Sequence, residues 1–453
     1  MPNRSGPERM VGGAMLMEIP GVADGSTQCD YINNQVRIPW RCDMQRLGVL
    51  VLLALVSTVA RGDNWPRFLG DRGAGTATGQ DLPIPLDAKA HVRWKVEAPG
   101  SGNGSPVLWG ERLFLQTAGS NGSGRAMVCL SSTTGKVVWE GKLTGAKAPT
   151  HAKNSLASST PAVDGTRVVG IFWDGQAMEL AAWDMNGKPL WRTPLGPHKS
   201  QHGCGHSPVL FEDKIFVNND QDDSAVLLAF DAKSGKKVWE QPRRAFRACY
   251  STPLMRQGKG GVELVVVSSA GPAGYEPATG KLIWEHAWKF AANPLRTVAS
   301  PVIADDLVLA CSGDGKGDRH LVAVRPAQGS SAELAWENTK VFPYVPTLLV
   351  HKGNLVGVND KGFLMVHEAA TGKELANRRL GAGYSASPLL VDGVMIAVDE
   401  KGSLACVGTG AGFPILGKTE LGEPVIATPA VGNGGIYIRT SGHLVCLGKK
   451  SKS

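Results

Sequence analysis

Ala229-Phe230-Asp231-Ala232-Lys233-Ser234-Gly235-Lys236-Lys237-Val238-Trp239 decides the fold of this chain. An apolar run stops at an aspartate. A Ser-Gly-Lys turn follows, and a second apolar run carries a tryptophan. Glycine at the turn accepts the positive φ that a tight hairpin demands. The tryptophan can wedge a large apolar face against a neighbouring sheet. The same phrase returns as Thr134-Gly135-Lys136-Val137-Val138-Trp139, as Asn186-Gly187-Lys188-Pro189-Leu190-Trp191 and as Thr279-Gly280-Lys281-Leu282-Ile283-Trp284. Later copies decay. Thr371-Gly372-Lys373-Glu374-Leu375-Ala376 lacks the tryptophan, and Gly408-Thr409-Gly410 keeps only a trace.

Upstream of the quoted stretch lie Val209-Leu210-Phe211, a turn, Ile215-Phe216-Val217-Asn218, a polar loop and then Val226-Leu227-Leu228. The unit therefore holds four short runs rich in β-branched and aromatic residues, parted by Gly, Asp, Asn and Ser, which predicts four hairpin-linked strands. Each unit opens on Ser or Thr followed by Pro: Ser105-Pro106, Thr160-Pro161, Ser207-Pro208, Thr252-Pro253, Ser300-Pro301, Ser387-Pro388 and Thr428-Pro429. Val345-Pro346 fills the gap in this series as a degenerate copy. The prolines are 41 to 55 residues apart, the period of a propeller blade. The expectation is an all-β, eight-bladed β-propeller of four-stranded antiparallel blades. Val92-Arg93-Trp94-Lys95-Val96 reads as a fourth strand without a blade, and Gly442-His443-Leu444-Val445-Cys446-Leu447 as a third strand without a fourth. Pairing of the N-terminal strand with the last blade would close the ring and remove its open edges.

The ends set the domain limits. Met44-Gln45-Arg46, the apolar run from Leu47 to Ala60 and the Ala60-Arg61-Gly62 exit read as a signal peptide over residues 44–62, too short for a comfortable membrane span. Residues 1–43 show no strand or helix period and read as a disordered or mis-called extension with Met44 as the start. The propeller is expected over residues 63–448, followed by the basic tail 449–453. The formal charge is +8, and loss of residues 1–62 removes six Arg and five acidic groups, which leaves it near +7. No Lys/Arg block forms a phosphate-tracking stripe, so nucleic acid is not an expected partner. Cys129, Cys406 and Cys446 share one third-strand position, where a small apolar residue is wanted. Cys204 and Cys249 each precede a repeat proline by four residues, and a bridge between them is conceivable only within strict geometry.

The segments Ala229–Trp239 and Glu276–Trp284 resemble the tryptophan docking motif of the pyrroloquinoline-quinone (PQQ) repeat propellers. That superfamily includes the quinoprotein alcohol dehydrogenases and the non-enzymatic BamB-like propellers of outer-membrane protein assembly. The resemblance covers nearly all of residues 64–447. It implies the fold and leaves the activity open. The dehydrogenases hold PQQ over calcium, use an aspartate base, and many place adjacent cysteines above the cofactor. No two cysteines are adjacent here, and no carboxylate cluster resembles a calcium cage. Asn218-Asn219-Asp220-Gln221-Asp222-Asp223 reads as a polar hairpin tip. No cofactor is therefore expected, and PQQ with calcium is disfavoured.

Loops on a rigid scaffold tend to carry function. The loops just upstream of the repeat prolines lie next to the ring axis and are polar. They offer Asn103, His151, Asn154, His202, His206, Arg247, Tyr250, Arg296, Tyr344 and Tyr384 as ligand-binding candidates at a funnel mouth. His198, His202, His206 and Cys204 are a conceivable zinc set in a loop whose spacing matches no metal motif, and no metal is expected. The serines before the prolines repeat with the blade, so none is a unique nucleophile, and no catalytic residue is assigned. The reading favours an exported, periplasmic or secreted binding and assembly scaffold. Its expected partner is an envelope protein or polymer, and a monomer is expected. The alternatives are a periplasmic PQQ-dependent oxidoreductase and a carbohydrate or envelope-polymer binding module.

Overall fold

The computed structural model describes residues 64–450 apart from 223, 291, 292, 328, 330 and 341. The expectations for residues 1–43, the signal peptide at 44–62 and the end of the basic tail lie outside the described residues. Among the described residues there are strands and turns and no helix, and hence no helix long and apolar enough to cross a membrane.

Eight four-stranded antiparallel sheets form the ring. In chain order the blades span Val107–Leu143, Ala162–Pro197, Val209–Pro242, Leu254–Glu285, Val302–Asn338, Leu349–Arg379 and Leu389–Glu420. The eighth takes three strands from Ala430–Gly448 and its outer strand from Val92–Glu97. That closure has a defined register: Trp94 lies opposite Cys446, and Glu97 lies opposite His443. The two middle strands of each blade are buried on both faces, so they read as continuous apolar runs such as Leu307–Gly313. The outer strands alternate exposed and half-buried residues, as Lys237–Pro242 does.

The repeat prolines mark an inner ring of hydrogen bonds. The N–H of Ser105 donates to Thr160 Oγ1 in the next blade at 3.1 Å, and Thr160 N–H to Ser207 Oγ at 3.0 Å. Thr252, Ser300, Thr347 and Ser387 continue the chain, each donating to the hydroxyl of the following blade at 2.9–3.2 Å. The repeated hydroxyl is thus a blade-to-blade connector. One expectation needs correcting here. Val345-Pro346 is not the degenerate copy of the motif. Thr347 accepts from Ser300 and donates to Ser387, so the motif in the sixth blade sits two residues later and has lost its proline.

The outer ring is made of tryptophans. Indole Nε1 of Trp94, Trp139, Trp191, Trp239 and Trp336 each donates to a backbone carbonyl of the next blade at 2.8–3.2 Å. Each ring lies over the turn glycine of that blade. A Cβ on Gly235 would sit 2.4 Å from Trp191, and one on Gly280 2.6 Å from Trp239. In all eight blades the pairing of third and fourth strands slips by one residue next to this position. The bulge aims the aromatic residue at its neighbour. Trp284 departs from the pattern: its indole turns inward to Glu263 at 2.9 Å. The seventh blade carries Gly417 at the tryptophan position, opposite Cys406. Pro85 fills that space, and a Cβ on Gly417 would lie 2.6 Å from its ring. The segment before the closing strand also adds Thr76–Ala77 in parallel to the inner strand of the seventh blade, a pairing that the repeat pattern does not announce.

Candidate functional site

A cavity of about 750 Å³ opens on the ring axis. Hydroxyls of the inner ring line it: Ser105, Thr160, Ser207, Thr252, Ser387 and Thr428. Above them stand the loops leading into the blades. Seven of the ten residues singled out from the sequence line this one cavity: Asn103, His151, Asn154, His202, Arg247, Tyr250 and Tyr344. The other three do not. His206, Arg296 and Tyr384 are 2%, 2% and 1% exposed and support the wall from behind.

The wall is tightly cross-braced around the loop 198–206. Asn154 Nδ2 donates to the carbonyls of His202 and Cys204 at 2.7 and 3.2 Å. The rings of His151 and His202 meet edge to face with centroids 4.9 Å apart. Ser200 Oγ and Tyr250 Oη are 2.5 Å apart. Arg296 donates to the Ala248 carbonyl at 2.8 Å, to Asp222 at 3.1 Å and to Gln201 at 3.3 Å, and so ties three loops together. Asp222 also accepts the N–H groups of Gln201 and Ala248. The stretch around it corrects a second expectation. Asn218, Asn219 and Asp220 are not a hairpin tip. They end a buried strand, and Asp220, fully buried, pairs with Arg243. A carboxylate there is tolerated because a guanidinium and Asn218 surround it.

Burial sets the ionisation of the wall. Desolvation, helped by Arg296, His151 and Arg247, pulls His202 down to about 4. Desolvation with His198 alongside pulls His206 down to about 3. Both are neutral at pH 7. Burial pushes Tyr344 up to about 12, and raises Tyr250 and Tyr384 as well. The phenols are hydrogen-bonding groups and not bases at neutral pH.

The hairpin turns between second and third strands also reach the cavity, and the sequence reading passed over them. They bring Asp314, Lys316, Arg319, Asp360 and Lys361. Their signal was a second repeated phrase: Asp314-Gly315-Lys316-Gly317, Asn359-Asp360-Lys361-Gly362 and Asp399-Glu400-Lys401-Gly402. The first residue of each caps its own turn, as Asp399 does by accepting from Lys401 and Ser403 at 3.0 and 2.9 Å. The second or third points to the axis. Glu400 bonds Ser385 and forms a 2.6 Å ion pair with Lys153, joining the seventh blade to the loop before the second. The lining holds five cationic side chains, Lys153, Arg247, Lys316, Arg319 and Lys361, against the carboxylates Asp314 and Asp360. Those carboxylates are engaged. Asp314 accepts three turn amides through one oxygen. Asp360 accepts the amides of Tyr344 and Val345 and faces Arg319 at 3.5 Å. A calcium ion asks for six to eight oxygens, and the carboxylates that line the cavity are Asp314 and Asp360.

Close behind the wall, donor atoms of His198, Cys204 and His206 all lie within 4.8 Å of one another. His202, the third histidine of that loop, points instead to the cavity. Cys204 and Cys249 are both buried free thiols.

Comparison with known proteins agrees with this architecture. The family model described as outer membrane protein assembly factor BamB matches residues 40–180 and 128–375. Polyvinylalcohol dehydrogenase of a Pseudomonas species is 29% identical over 188 residues, covering 37% of this chain and 28% of that protein. Polyvinylalcohol dehydrogenase of a Sphingopyxis species is 28% identical over 178 residues, covering 35% and 26%. The match thus spans only about a quarter of these curated relatives. Among solved structures, BamB from Moraxella catarrhalis superposes with a TM-score of 0.60 at 13% identity, over 79% of this chain and 99% of that chain. The computationally designed Ika8 protein superposes with a TM-score of 0.58 at 11% identity, over 80% and 100%. At such identities the superpositions speak for the fold alone.

Proposed function

The chain belongs to the family of the outer membrane protein assembly factor BamB, and on that premise we propose that it is a non-catalytic binding and assembly scaffold of the cell envelope. Its axial cavity takes an anionic or hydroxyl-rich segment of a partner protein or polymer. One observation carries this reading: five cationic side chains and a floor of hydroxyls converge on a cavity lined by two carboxylates, and Arg247, Lys316 and Lys361 remain outside the Lys153–Glu400 and Arg319–Asp360 pairs. Such a mouth attracts negative charge and offers donors to hydroxyl groups. An oxidoreductase is the second reading, favoured by the partial identity to polyvinylalcohol dehydrogenases. The small number of lining carboxylates weighs against it: Asp360 is held by two amides and Arg319, and Asp314 keeps one oxygen open.

The test has two arms. Residues 63–453 are purified, loaded with PQQ and calcium, and assayed for dye reduction with polyvinyl alcohol and small alcohols. No turnover is expected, and saturable turnover would establish the second reading. In the other arm, envelope extract is captured on wild type and on the double variant Arg247→Glu, Lys361→Glu. Specific partners should fall at least tenfold on the variant while its thermal midpoint stays within a few degrees. Equal capture would rule out the cavity as the binding surface.

A further inference from the structure

We propose that His198, Cys204 and His206, with the thioether of Met178, form a binding site for a single cuprous ion. The site stands apart from the scaffold reading above and uses none of its cationic residues. Met178 lies in the third strand of the second blade, Ala177–Asp184, and His198 follows the fourth, Pro189–Pro197. Cys204 and His206 sit on the loop that leads into the third blade. Met178, Cys204 and His206 are 1%, 5% and 2% exposed.

The donor atoms already face one another. Cys204 Sγ is 3.4 Å from Met178 Sδ and 3.7 Å from His206 Nδ1. Metal bonds of about 2.0–2.3 Å in tetrahedral array separate neighbouring donors by roughly 3.3–3.8 Å. His198 offers a ring nitrogen within 4.8 Å of the Cys204 and His206 donors. The tautomer of His206 is fixed by its partner. Nε2 lies 3.2 Å from the Asp220 carbonyl, which only accepts, so Nε2 holds the proton and Nδ1 turns a lone pair to the sulfur. A carbonyl that orients a ligating imidazole in this way is the usual support behind a metal. His198 supplies an independent observation. Both of its ring nitrogens are shielded from solvent and no side chain bonds either of them, the backbone of Gly203 being the polar group beside the ring, although a neutral imidazole carries one donor and one acceptor to satisfy. Its ring stands edge-on to His206 at 5.3 Å and to Trp173 at 6.0 Å.

The chemistry selects the ion. Cys204 is 5% exposed, and a bare thiolate is disfavoured at a buried site, whereas a thiolate neutralised by a monovalent cation is not. Binding exchanges the thiol proton for the ion: the S–H bond breaks, a Cu–S bond forms and one proton leaves to solvent. No electron is transferred. A thioether is a poor ligand for zinc and a good one for Cu(I). Gly205 lines the axial cavity and the ring of Tyr250 touches His206 at 5.7 Å, so the cavity is the approach.

The test uses the metal alone. Chelator-stripped protein is titrated anaerobically with Cu(I) against a bathocuproine competitor. One equivalent should bind, release about one proton and raise the thermal midpoint, since a ligand that binds only the folded state stabilises it. Cys204→Ser should weaken binding at least a hundredfold and Met178→Leu about tenfold. Cys311→Ala, another buried free thiol, should leave it unchanged. X-ray absorption at the copper edge of the wild-type complex should show sulfur and imidazole scattering. That spectrum decides the matter even where Cys204→Ser does not fold. No retention by wild type, a spectrum without sulfur, unchanged affinity in Cys204→Ser, or displacement of copper by an equal concentration of zinc would overturn the assignment.

Discussion

At the scale of the residue, one small side chain does two jobs. Gly235 has φ +70 and lies under Trp191, whereas Gly353 has φ +76 with nothing within 4 Å of a Cβ. The pair separates backbone strain from lost room. Gly353→Ala should cost about 1 kcal/mol, and Gly235→Ala about 2–3 kcal/mol because the indole must also move, as read by urea denaturation. The turn phrase announces the positive φ of Gly235, and only the packing distinguishes it from Gly353. The buried histidines give a pH dependence of definite sign. His206 and His202 titrate at about 3 and about 4 in the folded chain, below their ordinary value of 6.5. The unfolded chain therefore binds more protons in this window. Stability is complete above about pH 6.5 and falls as the pH drops through the range 6.5 to 3. His206→Gln, compared with wild type in metal-free buffer, should flatten the fall by up to one proton's slope. An unchanged slope would mean that His206 is protonated in the fold.

At the scale of the element, the closing strand bears most on integrity. Val92–Glu97 is sequence-distant from the blade that it completes, and Trp94 is its anchor. The indole bonds the Ser132 carbonyl of the first blade and packs 6.0 Å from Tyr437 of the eighth. Trp94→Ala removes both contacts and should cost about 3–5 kcal/mol, the range for a buried aromatic. Limited proteolysis should then release fragments from the eighth blade before the others. Uniform cleavage around the ring would contradict the role of the closing strand. Its pairing was legible because each end of the array lacked one strand. Other features were not. Nothing in the repeat announces that Pro85 replaces the missing tryptophan above Gly417, or that Thr76–Ala77 extends the seventh blade in parallel. Both depend on where a non-repeating segment runs across a finished surface.

At the scale of the whole molecule, eight blades bring residues from Phe68 to Thr428 around one cavity. The Lys153–Glu400 pair, 46% and 23% exposed, bridges loops far apart in sequence. Exposed pairs contribute little to stability, about 0–1 kcal/mol, so Glu400→Gln should leave the melting midpoint nearly unchanged. It should free Lys153 and strengthen capture of an anionic partner by a few fold, an effect that added salt abolishes. The sequence by itself determined the strand pattern, the count of blades and the closure, because each is a local period or a missing member of one. It also pointed to seven of the lining residues, since a loop's place in the repeat gives its place at the axis. Only the tertiary structure decided which polar side chains face the cavity and which brace it, as His202 and His206 show across four residues of one loop. It likewise decided that Thr347 and not Val345 carries the inner ring, and that Met178 and His206 both meet Cys204. Direction, burial and contact arise between blades, and no single repeat contains them.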